Sequence, residues 1–95
     1  APFGAPIGYD RWDEFSEATG IPVVIDAAAA FDTAQPGRAP AVISLHATKA
    51  VGIGEGGLII SRDPELVAKA RSLSNFGFQQ SRAAALPGFN AKLSE

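Results

Sequence analysis

Three short segments of this chain are apolar without alternation: Pro22-Val23-Val24-Ile25-Asp26, Ala41-Val42-Ile43-Ser44-Leu45 and Gly57-Leu58-Ile59-Ile60-Ser61. A strand with one wet face alternates apolar and polar residues, whereas a continuous run predicts a strand covered on both faces, as in a parallel sheet. The first run ends on a carboxylate and the second near a hydroxyl. Residues 27–40 between them are long enough for the crossover that joins parallel strands. Within that stretch the alanines 27–30 suit a short helix, and Gln35-Pro36-Gly37 suits a turn.

Helical signals flank the runs. Residues 10–19 predict an amphipathic helix capped by Asp10, closed by Gly20, and facing inward through Trp12 and Phe15. A second helix is predicted to follow Asp63, with Pro64 at its first position, Glu65 in its first turn, and Leu66, Val67, Ala70 and Leu73 as its buried stripe. Beyond Ser74 the glycines and Pro87 predict loop. The order is that of an α/β protein. Two helices cannot cover both faces of such a sheet, so more chain or another subunit is expected to complete it. The absence of any methionine and the stop at Ser94-Glu95 directly after an apolar residue fit the same expectation: residues 1–95 as a single partial domain.

The composition narrows the classes of function. Apolar residues make up 46% and charged residues 19%, with acidic and basic side chains nearly balanced, which is globular usage with no footprint for nucleic acid. The apolar runs fall far short of the roughly 18 residues that span a bilayer, so no membrane segment is expected. Without cysteine there are no disulfides or thiolate metal ligands, and a cytoplasmic location fits.

The chemistry concentrates in Ile43-Ser44-Leu45-His46-Ala47-Thr48-Lys49 and the glycines after it. Gly52-Ile53-Gly54-Glu55-Gly56-Gly57 spells G-x-G-x-x-G, but a dinucleotide fingerprint follows a strand and opens a helix, and here a strand comes next. The glycines are better read as a tight turn or a close backbone approach. A lone lysine is ordinarily a surface charge and a lone histidine a satisfied structural group. Asp26 by itself reads best as a cap for residues 27–30. Taken together, Asp26 and Lys49 become a different matter. A carboxylate that keeps a pyridine nitrogen protonated and an amine that condenses with an aldehyde are the two groups pyridoxal phosphate chemistry needs. Ser44, five residues before Lys49, could reach the phosphate.

The segment Ser44-Leu45-His46-Ala47-Thr48-Lys49 with Gly54-Glu55-Gly56-Gly57 resembles the DegT/DnrJ/EryC1/StrS family of pyridoxal-phosphate-dependent sugar aminotransferases. Val24-Ile25-Asp26-Ala27-Ala28, Ser74-Asn75-Phe76-Gly77 and the stretch from Gly88 through Asn90 to Glu95 are similar to further family segments, in the family's order. The resemblance implies part of a fold type I large domain, a mostly parallel sheet with flanking helices, in a homodimer that shares its active sites. It implies a Schiff base at Lys49, Asp26 on the pyridinium nitrogen, Ser44 on the phosphate, Asn90 reaching the phosphate of a neighbouring subunit, and His46 supporting the catalytic motif. It further implies an amino-acid donor, by analogy glutamate, and a nucleotide-linked keto-sugar acceptor. Lys49 argues against the family's dehydratase branch, where a histidine takes that place. One departure stands out. Ala29 occupies a position where the family commonly carries Gln or His. It supports an alternative in which the scaffold binds or regulates without transamination. The 95 residues alone are expected to be inactive.

Overall fold

The computed structural model describes residues 1–93, so Ser94 and Glu95, which end the family-like C-terminal segment, lie outside the described residues. The chain divides into two compact units, Ala1–Asp63 and a second that begins at Pro64.

In the first unit a 3-10 turn, Pro2–Gly4, precedes helix α1, Tyr9–Thr19, and three strands: β1, Ile25–Asp26, β2, Ala41–Ser44, and β3, Gly57–Ile60. The strands form one sheet in the order β1-β2-β3. β1 and β2 are parallel, with Ile25 opposite Ala41 and Asp26 opposite Val42. β2 and β3 are antiparallel, from Ala41 opposite Ile60 to Ser44 opposite Gly57. The sheet is therefore mixed. The reason lies in the connection: residues 45–56 return as a ribbon, with Leu45 N–H donating to Gly56 O at 2.9 Å and Ala47 N–H to Gly54 O at 2.8 Å. A connection that pairs with itself brings the chain back antiparallel.

The core is small and alanine-rich: Tyr9, Ile25, Ala27, Ala30, Ala39, Ala41 and Ile43, with Ile7, Val23 and Ile60 packed on it. Each buried isoleucine contributes about 1.5–3 kcal/mol, and the alanines contribute far less. Covering of both sheet faces, expected from the unbroken apolar runs, is not seen. In β2, Ala41 and Ile43 are buried while Val42 remains 39% exposed, and its cross-strand partner Ile59 is 49% exposed. Helix α1 also departs from expectation. Gly8, not Asp10, holds the N-cap position, and the buried residue is Tyr9, whereas Trp12 and Phe15 stay 45% and 41% exposed and pack on each other edge to face. Gly20 closes the helix in the left-handed conformation, as its sequence position predicts.

The crossover from β1 to β2 contains turns where the alanines suggested a helix. Asp26 captures the N–H of Ala28, and a side chain on Gly4 would run into the Ala29 carbonyl, so the backbone is held by polar contacts and a close approach rather than by helical pairing. The end of the crossover is fastened by α1. Asp13 accepts the N–H groups of Arg38 at 2.8 Å and Ala39 at 2.7 Å. Burial would raise the Asp13 pKa, but the Ala39 and Arg38 N–H groups and the guanidinium groups of Arg38 and Arg62 outweigh it and hold the carboxyl below its ordinary value.

The second unit opens with α2, Pro64–Ser74. Leu66, Val67, Ala70 and Leu73, expected as a buried stripe, are only half-buried, and the buried residue of the helix is Ser72. Two family-like segments that stand apart in sequence pair here. Phe89 N–H donates to Leu73 O, Phe76 N–H to Phe89 O and Ala91 N–H to Ser74 O, and Asn75 and Asn90 form an antiparallel bridge. Gly77, at φ +77°, lies so close to Leu86 and Gly88 that neither glycine has room for a side chain. Lys92 Nζ sits 5.8 Å from the Phe76 ring centroid.

Candidate active site

Asp26 stands at the end of β1, where a parallel strand delivers a polar group to the edge of an α/β sheet. Its side chain is exposed, and Oδ1 accepts the Ala28 N–H at 2.9 Å. The reading of Asp26 as a local cap is thus correct for one oxygen, although what it caps is a turn. Among the described residues Oδ2 has no hydrogen-bond partner.

Lys49 is half-buried and follows β2 by way of a tight turn, in which its N–H donates to the His46 carbonyl at 2.9 Å. Asp26 and Lys49 line the same open cavity of about 460 Å³, together with Ala28, Ala29 and residues 1–3. That volume lies within the roughly 300–1,000 Å³ of small-molecule sites. An amine and a carboxylate on one cavity of this size suit a small heterocycle with an aldehyde and a basic ring nitrogen, which is the donor set pyridoxal phosphate requires.

Ser44, at the end of β2, is half-buried, and its Oγ accepts the His46 N–H at 3.2 Å. A hydroxyl that accepts there keeps its own O–H to donate. Ser44 and His46 do not line the cavity that joins Asp26 to Lys49. His46 Nδ1 lies 2.9 Å from the Thr48 hydroxyl and 3.2 Å from the Thr48 nitrogen, and Nε2 faces Glu55 Oε1 at 3.6 Å. Asn90 belongs to the second unit, with an exposed side chain on a segment fixed by its neighbours' backbone bonds. Among the described residues no group of three or more His, Cys, Asp and Glu side chains could hold a metal, and no helix is long and apolar enough to cross a membrane.

Sequence reasoning overlooked Thr48 and Glu55, the partners of His46. The available signal was a hydroxyl two residues after an imidazole, the spacing of a local side-chain turn. The close backbone approach read from the glycine run occurs at Gly52, where a Cβ would lie 2.5 Å from Ala47 O and 2.9 Å from Ala47 Cα. That glycine lets the loop lie against the lysine turn.

The small α/β sheet carries a lysine and an aspartate on one cavity, and comparison with known proteins gives the family. The sequence model of the DegT/DnrJ/EryC1/StrS aminotransferase family matches residues 2–95, and the chain belongs to that family. Protein Rv3402c of Mycobacterium tuberculosis is 42% identical over 91 residues, which cover 88% of this chain and 22% of that protein. Among solved structures, a Bacillus cereus chain provisionally described as a PLP-dependent aminotransferase superimposes with a TM-score of 0.85 at 38% identity, covering 96% of this chain and 26% of that one. DesV of S. venezuelae, crystallised with a ketimine intermediate, gives a TM-score of 0.83 at 31% identity, with 96% and 26% covered. The chain thus spans about a quarter of the length of the proteins it matches.

Proposed function

We propose that this chain is the central part of the large domain of a longer PLP-dependent aminotransferase, one that moves an amino group from an amino-acid donor to a nucleotide-linked keto-sugar. The observation that carries the reading is the shared cavity of Asp26 and Lys49. The structure of DesI in the presence of its TDP-sugar product, similar at a TM-score of 0.76 and 33% identity over 96% of this chain and 25% of that one, supports the sugar acceptor.

Pyridoxal phosphate would supply an aldehyde that condenses with amines and a ring that takes up the electron pair left when a carbon is deprotonated. Lys49 Nζ would hold the aldehyde end and, once displaced by the donor amine, carry the proton removed from the donor's α-carbon. The free Oδ2 of Asp26 would keep a proton on the ring nitrogen, while Oδ1 stays with Ala28. The Ser44 O–H would donate to a phosphate oxygen, and Asn90 would serve the phosphate of a neighbouring subunit in a homodimer. Glutamate is the donor expected by analogy, a cytoplasmic location fits the cysteine-free chain, and the 95 residues alone are expected to show no turnover.

Borohydride reduction of the longer protein with bound cofactor, followed by peptide mapping, tests the reading: the pyridoxyl label belongs on Lys49, and a label elsewhere refutes it. Ala29 on the cavity wall favours one competing reading, a scaffold kept for binding or regulation without transamination. Steady nitrogen transfer from glutamate to a keto-sugar would eliminate it.

A further inference from the structure

We propose that His46 is a positioning residue for Lys49, a neutral imidazole whose Nδ1 lone pair ties down the turn that presents the amine. The inference rests on the role given to Lys49 above. A backbone N–H can only donate, and that of Thr48 lies 3.2 Å from Nδ1, so Nδ1 carries no proton. The ring proton is then on Nε2, facing Glu55 Oε1 at 3.6 Å. The Thr48 hydroxyl, 2.9 Å from Nδ1, donates to the same lone pair.

One residue therefore holds two successive backbone groups: its ring takes the Thr48 N–H, and its carbonyl takes the Lys49 N–H at 2.9 Å. Its own N–H is fixed by Ser44 Oγ at 3.2 Å, which links the turn back to the end of β2. The glycine loop closes the other side, since Glu55 faces the ring and Gly52 leaves room for Ala47. An imidazole engaged in this way has no spare lone pair with which to accept a substrate proton. His46 acts through Lys49, not beside it.

The acceptor position explains the residue type. Nδ1 stands two bonds from Cβ, the same reach as Oδ1 of asparagine, whereas the amide of glutamine reproduces only the more distant Nε2 end. The experiment uses the longer protein with His46→Ala, His46→Asn and His46→Gln. It reads nitrogen-15 shifts of the imidazole in the cofactor-free wild type, affinity for pyridoxal phosphate alone, and kcat and KM separately. We expect a proton on Nε2 and a bare Nδ1 without any cofactor present. H46A and H46Q should lose about 100-fold in kcat through misplacement of the amine, with donor KM little affected, and H46N should recover most of that loss.

A proton on Nδ1 in the wild type, or better recovery by Gln than by Asn, overturns the proposal. Should the variants fail to fold, the wild-type tautomer still decides it. If Lys49 takes no pyridoxyl label in the wild type, the aminotransferase reading falls on its own. The turn is then judged by the tautomer and by whether the Thr48 and Lys49 amides exchange faster in H46Q than in H46N.

Discussion

Asp26 and Lys49 reach one cavity on turns built by opposite means. The Asp26 turn is held by the Asp26 side chain itself, which accepts the Ala28 N–H on one carboxylate oxygen and keeps the other. The Lys49 turn is held by a neighbour, His46, and leaves the amine untouched. A carboxylate has two equivalent oxygens and can serve structure and chemistry at once. An amine that is to bond an aldehyde, the role proposed for Lys49, has only one nitrogen to offer, so the turn beneath it needs a separate side chain.

Replacing Lys49 breaks the comparison most severely. Lys49→Arg keeps the charge but cannot form the Schiff base, and transamination by the longer protein should fall by at least about 10⁴-fold in a coupled glutamate assay, with borohydride labelling abolished. Asp26 offers a sharper division, because its two tasks can be separated. Asp26→Asn retains an oxygen for Ala28 and removes the charge, so kcat should drop by about 10²–10⁴-fold while the urea midpoint scarcely moves. Asp26→Ala removes both and should lose, in addition, about 0.5–2 kcal/mol of stability in the same titration.

Gly52→Ala probes the support of the lysine turn from outside. Its Cβ would meet backbone atoms of Ala47, which cannot swing aside, and a cost of about 1–3 kcal/mol in urea unfolding is expected, with weaker cofactor binding. The mildest test concerns the frame both turns share. The Asp13 carboxyl is lowered by its backbone donors and arginines, so its contribution is present above the unfolded carboxylate pKa and is lost as pH falls through its lowered folded value. Asp13→Asn should flatten that acid-side decline in thermal melts recorded across the carboxylate range.

The strands, α2 and the convergence of Asp26 and Lys49 on one cavity were legible in the sequence, because β-branched runs, a Pro-Glu helix start and a family motif are local signals. The direction of β3 was not, since it depends on hydrogen bonds between Leu45, Ala47 and the glycine loop that no hydrophobic pattern encodes. Periodicity singled out Trp12 and Phe15 as an apolar face, but the residue that packs into the core is Tyr9, one turn earlier. The alanines 27–30 suit a helix by propensity, and the Asp26 carboxylate overrides them by taking the Ala28 N–H. The order of motifs along the chain gave no hint that the Asn75 and Asn90 segments pair, because a backbone bridge leaves no mark on composition.

That bridge has a mechanical corollary. Phe89 and Ala91 are bonded to carbonyls in the last turn of α2, and the glycine contact behind them admits no slack. Asn90 is therefore moored on both sides to the end of α2, so a change in how that last turn is wound would be felt directly by a residue sixteen positions further along the chain.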